Sequence, residues 1–240
     1  MSEQNAFHQI LGDSVADWRI RRTPEFTEIR GRYCSLQRLD ADKHAAALYD
    51  NLQADNPGDS WTYLPYGPFE NSDAFRAWIQ ETSRDGQVRL YAIVDNQLCQ
   101  PVGVSGYLRI SPEHGSIEVG HLHFSRYLKK TPAATEAMYL MMRYVFDELG
   151  YRRYEWKCNA LNQPSINAAK RLGFQFEGIF RQSHVYKNRN RDTAWFSIID
   201  SEWPALKAGF QKWLHPDNFD ANGMQIRRLH ELLLRYCESA

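Results

Sequence analysis

The sequence has few cysteines and no two of them at a spacing typical of metal or redox sites. Cys34, Cys99, Cys158 and Cys237 are spread over 240 residues, with no CxxC and no CxxxC. Domains that depend on disulfides carry many more cysteines for their length, and a chain this long can bury a core without them. We therefore expect reduced thiols and no disulfide framework, which favours a cytoplasmic protein.

Net charge and long apolar runs are absent too. Lys and Arg together number 29 and Asp and Glu 29, so the formal net charge is zero. Such a balance gives no support for the broad basic surface that binds nucleic acid. The opening MSEQNAFHQILGDSVADW lacks a basic stretch followed by an apolar one, and no segment is apolar over the length of a bilayer. The sequence predicts no nucleic-acid partner, no signal peptide and no membrane contact.

What the sequence does contain is a regular succession of strand-like and helix-like segments. A strand-like run at 32–39 precedes two helical patterns, and three strand-like runs joined by short loops follow them. An apolar helix at 133–150, an alternating strand at 151–158 and a helix at 162–174 come next. Two final strands are joined by a polar turn that the sequence predicts at 188–191. This order predicts an α/β fold with a mixed, mostly antiparallel sheet flanked by helices.

The strand at 151–158 and its surroundings carry two more predictions. The strand, helix and strand of 117–158 should form a parallel crossover. Within YRRYEWKC, Tyr154, Trp156 and Cys158 should face one side of the sheet and the charged residues between them the other. Residues 1–30 are interpreted as an N-terminal extension, and residues 203–240 as a C-terminal helical extension.

Several motifs resemble those of one known family. They are the ATEA helix start at 134–137, the N-x-x-S segment at 162–165, the RLGF-x-x-EG run from Arg171 and the later Arg191–Asp192 pair. Together they resemble the GNAT acetyltransferases, and within them the RimJ/RimL branch, over about 170 residues from residue 30 onward. The resemblance implies a GNAT domain at 31–202. It also implies transfer of an acetyl group from acetyl-CoA to a primary amine, by direct attack in a ternary complex.

The resemblance also implies where acetyl-CoA binds. A helix N-terminus offers backbone N–H groups and a favourable dipole to the pyrophosphate, and the free edge of the preceding strand pairs with the pantetheine arm. The family loop has two glycines where this chain has Pro132 and Ala134, and Pro132 supplies no N–H. The cofactor-binding residues implied in this way are Leu122, Phe124, Lys129, Lys130, Thr131, Ala133, Ala134, Thr135 and Asn162.

Two catalytic residues follow from the same comparison. Many relatives have a tyrosine acid at the position of Ala169, whereas the RimL-like arrangement uses the serine of N-x-x-S, here Ser165. The carboxylate base of that branch lies three residues after an arginine, and here His184 follows Arg181 at that distance. A neutral imidazole can accept the proton of an amine near neutral pH. The alternatives are that Ser165 and Asn162 only cap a helix and that His184 is an idle strand residue.

Other groups have less specific interpretations. Glu118, His121 and His123 are close in sequence and could suggest a metal site. His121 and His123 share one strand face, but no further ligand lies at a spacing diagnostic of a metal site, so the sequence predicts a structural role and no metal. The aromatic cluster of loop residues is either a pocket wall or ordinary lid packing. It slightly favours a small-molecule acceptor over a protein N-terminus. The residues of that cluster are Trp61, Tyr63, Tyr66 and Phe69.

Two further alternatives stay open. The amphipathic run IRRLHELLLRYC near the C-terminus predicts docking on the domain or on the partner in a homodimer. The altered phosphate loop and the missing tyrosine also fit a non-catalytic acyl-CoA-binding or protein-interaction module with a degenerate site.

Overall fold

A mixed sheet forms the centre of the molecule. The computed structural model describes residues 3–54 and 58–237. Its eight strands are β1 (Glu28–Arg30), β2 (Cys34–Arg38), β3 (Arg89–Asp95), β4 (Gln100–Ser111), β5 (Ser116–Phe124), β6 (Arg153–Asn159), β7 (Gln175–Tyr186) and β8 (Arg189–Ile199). They lie in the order β1-β2-β3-β4-β5-β6-β8-β7, and every neighbouring pair is antiparallel except β5–β6. The sheet confirms the predicted α/β fold and its parallel crossover.

Helices cover both faces of this sheet. They are α1 (Ala41–Gln53), α2 (Ser72–Arg84), α3 (Pro132–Arg143, continued by a π-helical turn Tyr144–Glu148), α4 (Gln163–Arg171), α5 (Trp203–Leu214) and α6 (Leu229–Cys237). Helices α1 and α2 pack on β3 and β4 from one side, and α3, α4, α5 and α6 share the larger core on the other. Within the described ranges, no helix is long and apolar enough to span a membrane.

The structure adds one strand and moves one predicted turn. Glu28–Arg30, at the end of the predicted N-terminal extension, forms the edge strand β1 on β2. The turn between the last two strands lies at Lys187–Asn188, not at 188–191. Both turn residues have positive φ, 49° and 57°, as in a two-residue type I′ hairpin, whose twist matches that of the strands it joins. Arg191 is therefore a strand residue.

The C-terminal helix α5 belongs to the main core. Trp203 and Phe210 are almost completely buried, and the ring of Tyr139 on α3 lies 6.1 Å from Trp203 and 5.7 Å from Phe210. Trp203 Nε1 also donates to Asp147 at 2.7 Å. The segment after residue 203 thus stabilises α3 from the side opposite the sheet. The division of the chain at that residue stays a prediction.

A buried carboxylate joins α3 to the first strands. Glu136 is 5% exposed and accepts three backbone N–H groups, from Arg32 at 2.8 Å, Tyr33 at 2.6 Å and Cys34 at 2.9 Å. A Cβ on Gly31 would lie only 2.5 Å from the same carboxylate, so the turn needs glycine here. The Glu of the ATEA motif is therefore the residue that fixes the β1–β2 turn to the N-terminal half of α3.

Glu136→Gln should lower the free energy of unfolding by about 2–4 kcal/mol. A neutral amide oxygen accepts hydrogen bonds more weakly than a carboxylate oxygen, and the amide NH2 group would face backbone N–H groups that are themselves donors. Urea denaturation followed by circular dichroism measures this. The exposed Glu81→Gln on α2 is the matched control and should change stability by less than about 0.5 kcal/mol. Equal stability of Glu136→Gln and the unchanged protein would contradict the assigned role.

Candidate active site

The site is built around a place where two parallel strands stop pairing. β5 and β6 pair from Ser116↔Arg153 to Val119↔Trp156. Both strands continue, β5 to Phe124 and β6 through Asn159, but in the described part of the chain they no longer pair. The side of β5 that faces β6 therefore has unpaired backbone groups after Val119. Such an edge can accept an extended ligand as an additional strand.

A β-bulge lies in the unpaired half of β5. On β4, Val104 pairs with His123 and Gly106 with Gly120, so Ser105 alone is opposite both His121 and Leu122. The bulged residue His121 has a φ of 51°. A bulge bends and twists its strand. This bend accompanies the loss of pairing to β6, and the predicted contacts Leu122 and Phe124 lie directly after it.

The N-terminus of α3 lies close beyond the end of β5. Thr131 is the N-cap, and its hydroxyl accepts from Ala134 N at 3.3 Å while donating to Leu128 O at 2.7 Å. Pro132 occupies the first turn, where its missing N–H costs the helix nothing. The N–H of Ala133 is in that same turn, whose N–H groups have no intrahelical acceptor. A phosphate would find these donors and the positive end of the helix dipole.

Basic side chains surround this helix start. Lys129 and Lys130 precede it, as predicted, and Lys130 has a φ of 63°. Arg171, at the end of α4, donates to Thr135 Oγ1 at 3.1 Å and lies over the ring of Trp213. Thr135 is buried and its hydroxyl is used by this bond. The sequence did not predict Arg171 as a site residue, although it begins the RLGF run, because the motif does not show that its side chain points toward α3.

Ser165 and Asn162 lie together at the start of α4. Asn162 is the N-cap, and its Oδ1 accepts from Ser165 N at 3.2 Å. Ser165 Oγ accepts from Trp156 Nε1 at 3.0 Å. The indole N–H fills one acceptor position of the serine oxygen, and the same hydroxyl is within hydrogen-bond reach of the Cys158 thiol. Trp156 and Val119 are the last residues at which β5 and β6 pair. Ser165, which is hydrogen-bonded to Trp156, therefore lies where the two strands separate.

His184 lies on the opposite face of the sheet. It is exposed on β7, its Nδ1 is 2.8 Å from Ser183 Oγ, and it pairs across the hairpin with Arg191. Partial burial, then the charges of Arg191, Arg109 and Lys157, lower its pKa below the ordinary value of 6.5. If Nδ1 donates to Ser183, Nε2 carries the free lone pair and can accept a proton.

A chain of ion pairs crosses this face. Lys157 Nζ lies 2.9 Å from Glu118 and 2.7 Å from Glu155, and 3.6 Å from the centre of the Trp195 ring. The Lys157 side chain is 6% exposed and that of Glu118 4%. Burial raises the pKa of Glu118, and the positive charges of Lys157 and Arg109 oppose that effect. The alternation in YRRYEWKC predicted this face for Lys157 and Glu155 but could not predict Glu118 and Trp195 as partners, because they lie on other strands.

Loops form a rim around the same region. Tyr63 OH donates to Leu161 O at 3.2 Å, which links the α1–α2 loop to the start of α4. Lys187 Nζ donates to Trp61 O at 2.8 Å, which links that loop to the β7–β8 turn. Asn159 Nδ2 donates to Tyr186 OH at 2.9 Å, on the inner side of the rim.

The two histidines of β5 face the aromatic loop. His121 Nδ1 is 3.0 Å from Tyr66 OH, and the ring of His123 lies 4.0 Å from that of Trp61. Burial lowers their pKa values, to about 4 for His121, where Arg109 adds to the effect, and to about 3 for His123. Both are therefore neutral near pH 7. Among the residues that the structure describes, no group of three His, Cys, Asp or Glu side chains could hold a metal ion.

Comparison with known proteins identifies the family. Residues 35–175, more than half of the chain, match the family model described as "Acetyltransferase (GNAT) domain". The chain belongs to the GNAT acetyltransferase family, as the motifs predicted. The assignment to the RimJ/RimL branch stays a prediction.

Similar proteins come from several bacteria. The crystal structure of a GCN5-related N-acetyltransferase from Brucella melitensis is 43% identical, covers 91% of this chain and 99% of its own, and has a TM-score of 0.89. A structure from Chromobacterium violaceum ATCC 12472, assigned to the same family, is 44% identical, covers 82% of this chain and 98% of its own, and has a TM-score of 0.76. Uncharacterized N-acetyltransferase p20 of Bacillus licheniformis is 30% identical over 59% of this chain and 80% of its own length.

Lys157→Met should destabilise the protein by about 3–5 kcal/mol, because it leaves two buried carboxylates without their shared cation. Urea denaturation at pH 7 measures the loss. The exposed Lys170→Met on α4 is the control and should stay within about 0.5 kcal/mol of the unchanged protein. A Lys157→Met variant as stable as this control would show that the ion pairs do not hold the face together.

Proposed function

We propose that the protein transfers an acetyl group from acetyl-CoA to a primary amine. The observation that carries this proposal is the gap between β5 and β6. Ser165 lies beside this gap on one face of the sheet, and His184 lies on the other face, on the edge strand β7. A reactant held in such a gap can be reached by an acid from one face and by a base from the other. Both predicted catalytic residues keep their roles in the proposal.

The residues around the gap fit acetyl-CoA. The unpaired backbone of β5 at Leu122–Phe124 would bind the amides of the pantetheine arm as a neighbouring strand does. The first turn of α3, with Ala133 and Ala134, would bind the pyrophosphate. Lys129, Lys130 and Arg171 would add positive charge, and the amide of Asn162 would bind the pantetheine arm beside Ser165. When bound, acetyl-CoA supplies a thioester whose carbonyl carbon accepts the amine.

The chain's own groups would then move two protons. The acceptor amine attacks the carbonyl carbon as its C–N bond forms and the C–S bond breaks. His184 Nε2 would accept the proton that the amine loses, directly or through water. Ser165 would donate its hydroxyl hydrogen to the sulfur that leaves, while the Trp156 N–H stabilises the serine oxygen, and a proton from solvent would then restore the hydroxyl. The charge on the imidazolium is brief because solvent reaches the exposed His184.

We expect acetyl-CoA to bind with a micromolar Kd that rises with salt, since phosphate contacts are screened by ions. Arg171→Gln should weaken binding about threefold to tenfold by removing a charge beside the helix start. The neighbouring exposed Lys170→Gln is the matched control and should bind as the unchanged protein does. Isothermal titration calorimetry with CoA as competitor measures all three. Absence of binding at millimolar acetyl-CoA would contradict the proposal and favour an interaction module.

His184→Gln should lower kcat with the Kd of acetyl-CoA unchanged, since glutamine cannot accept the proton. In the unchanged protein kcat should rise with pH through an apparent pKa below 6.5, because the base works when neutral and its pKa is lowered. The variant should lose that rising limb. Ser165→Ala should lower kcat by about tenfold to a hundredfold, with the limb retained. Release of free thiol, followed across pH 5–9, is the readout, and an unchanged pH profile in His184→Gln would remove this residue from its role.

A further inference from the structure

Three cationic side chains on the face that carries His184 are paired with carboxylates. Arg109 pairs with Glu118 at 2.7 Å. Lys157 is shared by Glu118 and Glu155, as described above. Arg153 contacts Glu155 at 2.7 Å and Glu177 at 2.5 Å. Arg191 on β8 also lies on this face, and it has no carboxylate partner within the described residues. Arg189, two residues earlier on the same strand, faces the same side but is exposed, whereas Arg191 is half-buried.

Arg191 is nevertheless held in one orientation. Its Nε donates to Thr193 Oγ1 at 3.1 Å, and Thr193 is 1% exposed. Its guanidinium carbon lies 5.6 Å from the centre of the Tyr186 ring, which is itself fixed by the bond from Asn159. The Nε–H is used, so the two terminal NH2 groups of the guanidinium remain. A guanidinium fixed in this way is suited to bind a carboxylate through two parallel hydrogen bonds.

The position of Arg191 relates it to the reacting groups. It pairs directly with His184 across the hairpin, so the two side chains leave the sheet on the same face. Thr193, two residues after Arg191, pairs with Asn159 at the end of β6, so Arg191 lies just beyond that end. Arg191 thus lies between the proposed base and the gap.

We infer that Arg191 binds a carboxylate of the acceptor, so that the substrate is a small amine carrying an acid group, of the amino-acid type. This inference rests on the function proposed above. A carboxylate paired with Arg191 would hold the amine near His184, and its negative charge would stabilise the imidazolium that forms there. The rim contacts of Tyr63 and Lys187 narrow the region around this face, which favours a small acceptor over a folded protein.

The test compares amino acids with their C-terminal amides as acceptors. The amides keep the amine and the side chain but lack the carboxylate, so they also represent the N-terminal residue of a peptide. With acetyl-CoA saturating, kcat/KM is measured by thiol release for the twenty common amino acids and their amides. We expect the best acceptors to be acids, at least about tenfold better than the matching amides.

Variants assign the preference to one side chain. At pH 8, where His184 is neutral with or without the Arg191 charge, Arg191→Gln should lower kcat/KM for the best acid by about tenfold to a hundredfold. The value for the matching amide should stay unchanged, since only the carboxylate loses its partner. Arg191→Lys should lose less of the kcat/KM for the acid than Arg191→Gln does, because lysine keeps the positive charge but cannot form the two parallel hydrogen bonds of a guanidinium. Arg189→Gln, an exposed arginine two residues earlier on β8, is the matched control and should keep the preference. Melting temperature and acetyl-CoA affinity verify that each variant is folded.

Three outcomes overturn the inference. The first is that amides are preferred, which points to peptide N-termini. The second is an equal loss for acid and amide in Arg191→Gln. The third is that no acid is acetylated although acetyl-CoA binds. Failure of the proposed function looks different, because acetyl-CoA then does not bind or no amine of either kind is acetylated.

Discussion

The pairing of β5 with β6 ends after Val119 and Trp156, and the candidate site depends on that ending. Continuous pairing would satisfy the backbone of β5 and leave no edge for a ligand. The bulge at His121 bends β5 at this point, and α3 begins shortly after it. A strand edge, a helix N-terminus and Ser165 are thereby brought to one gap.

Two buried charges keep this arrangement in place. Glu136 ties the N-terminal half of α3 to the turn between β1 and β2, so the helix start cannot shift without breaking three hydrogen bonds to one carboxylate. Lys157 joins β6 to β5 through Glu118, close to the last paired residues. Buried charges of this kind are costly unless fully paired. Glu136 fixes the helix start that is proposed to bind acetyl-CoA, and Lys157 fixes the face on which the amine acceptor is proposed to bind.

Local patterns were sufficient for much of the fold. The order of strands and helices, the parallel crossover and the two faces of β6 followed from periodicity, and the family followed from its motifs. The predicted turn at 188–191 was wrong because Asn and Arg fit several turn types and only the strand register selects one. That error matters, since it removed Arg191 from the strand and hid its relation to His184. Arg171 was missed for a similar reason, as its partner Thr135 lies on another helix.

The sequence by itself determined the class of protein, the helix that would receive the phosphates and the residues Ser165 and His184 as candidates. These features depend on short segments, whose spacing alone carries the information. Only the tertiary structure decided that β5 and β6 separate, that Trp156 donates to Ser165, and that Arg191 has no carboxylate partner within the described residues. Each of these is a relation between side chains or strands far apart in the chain, and it exists only once packing has brought them together.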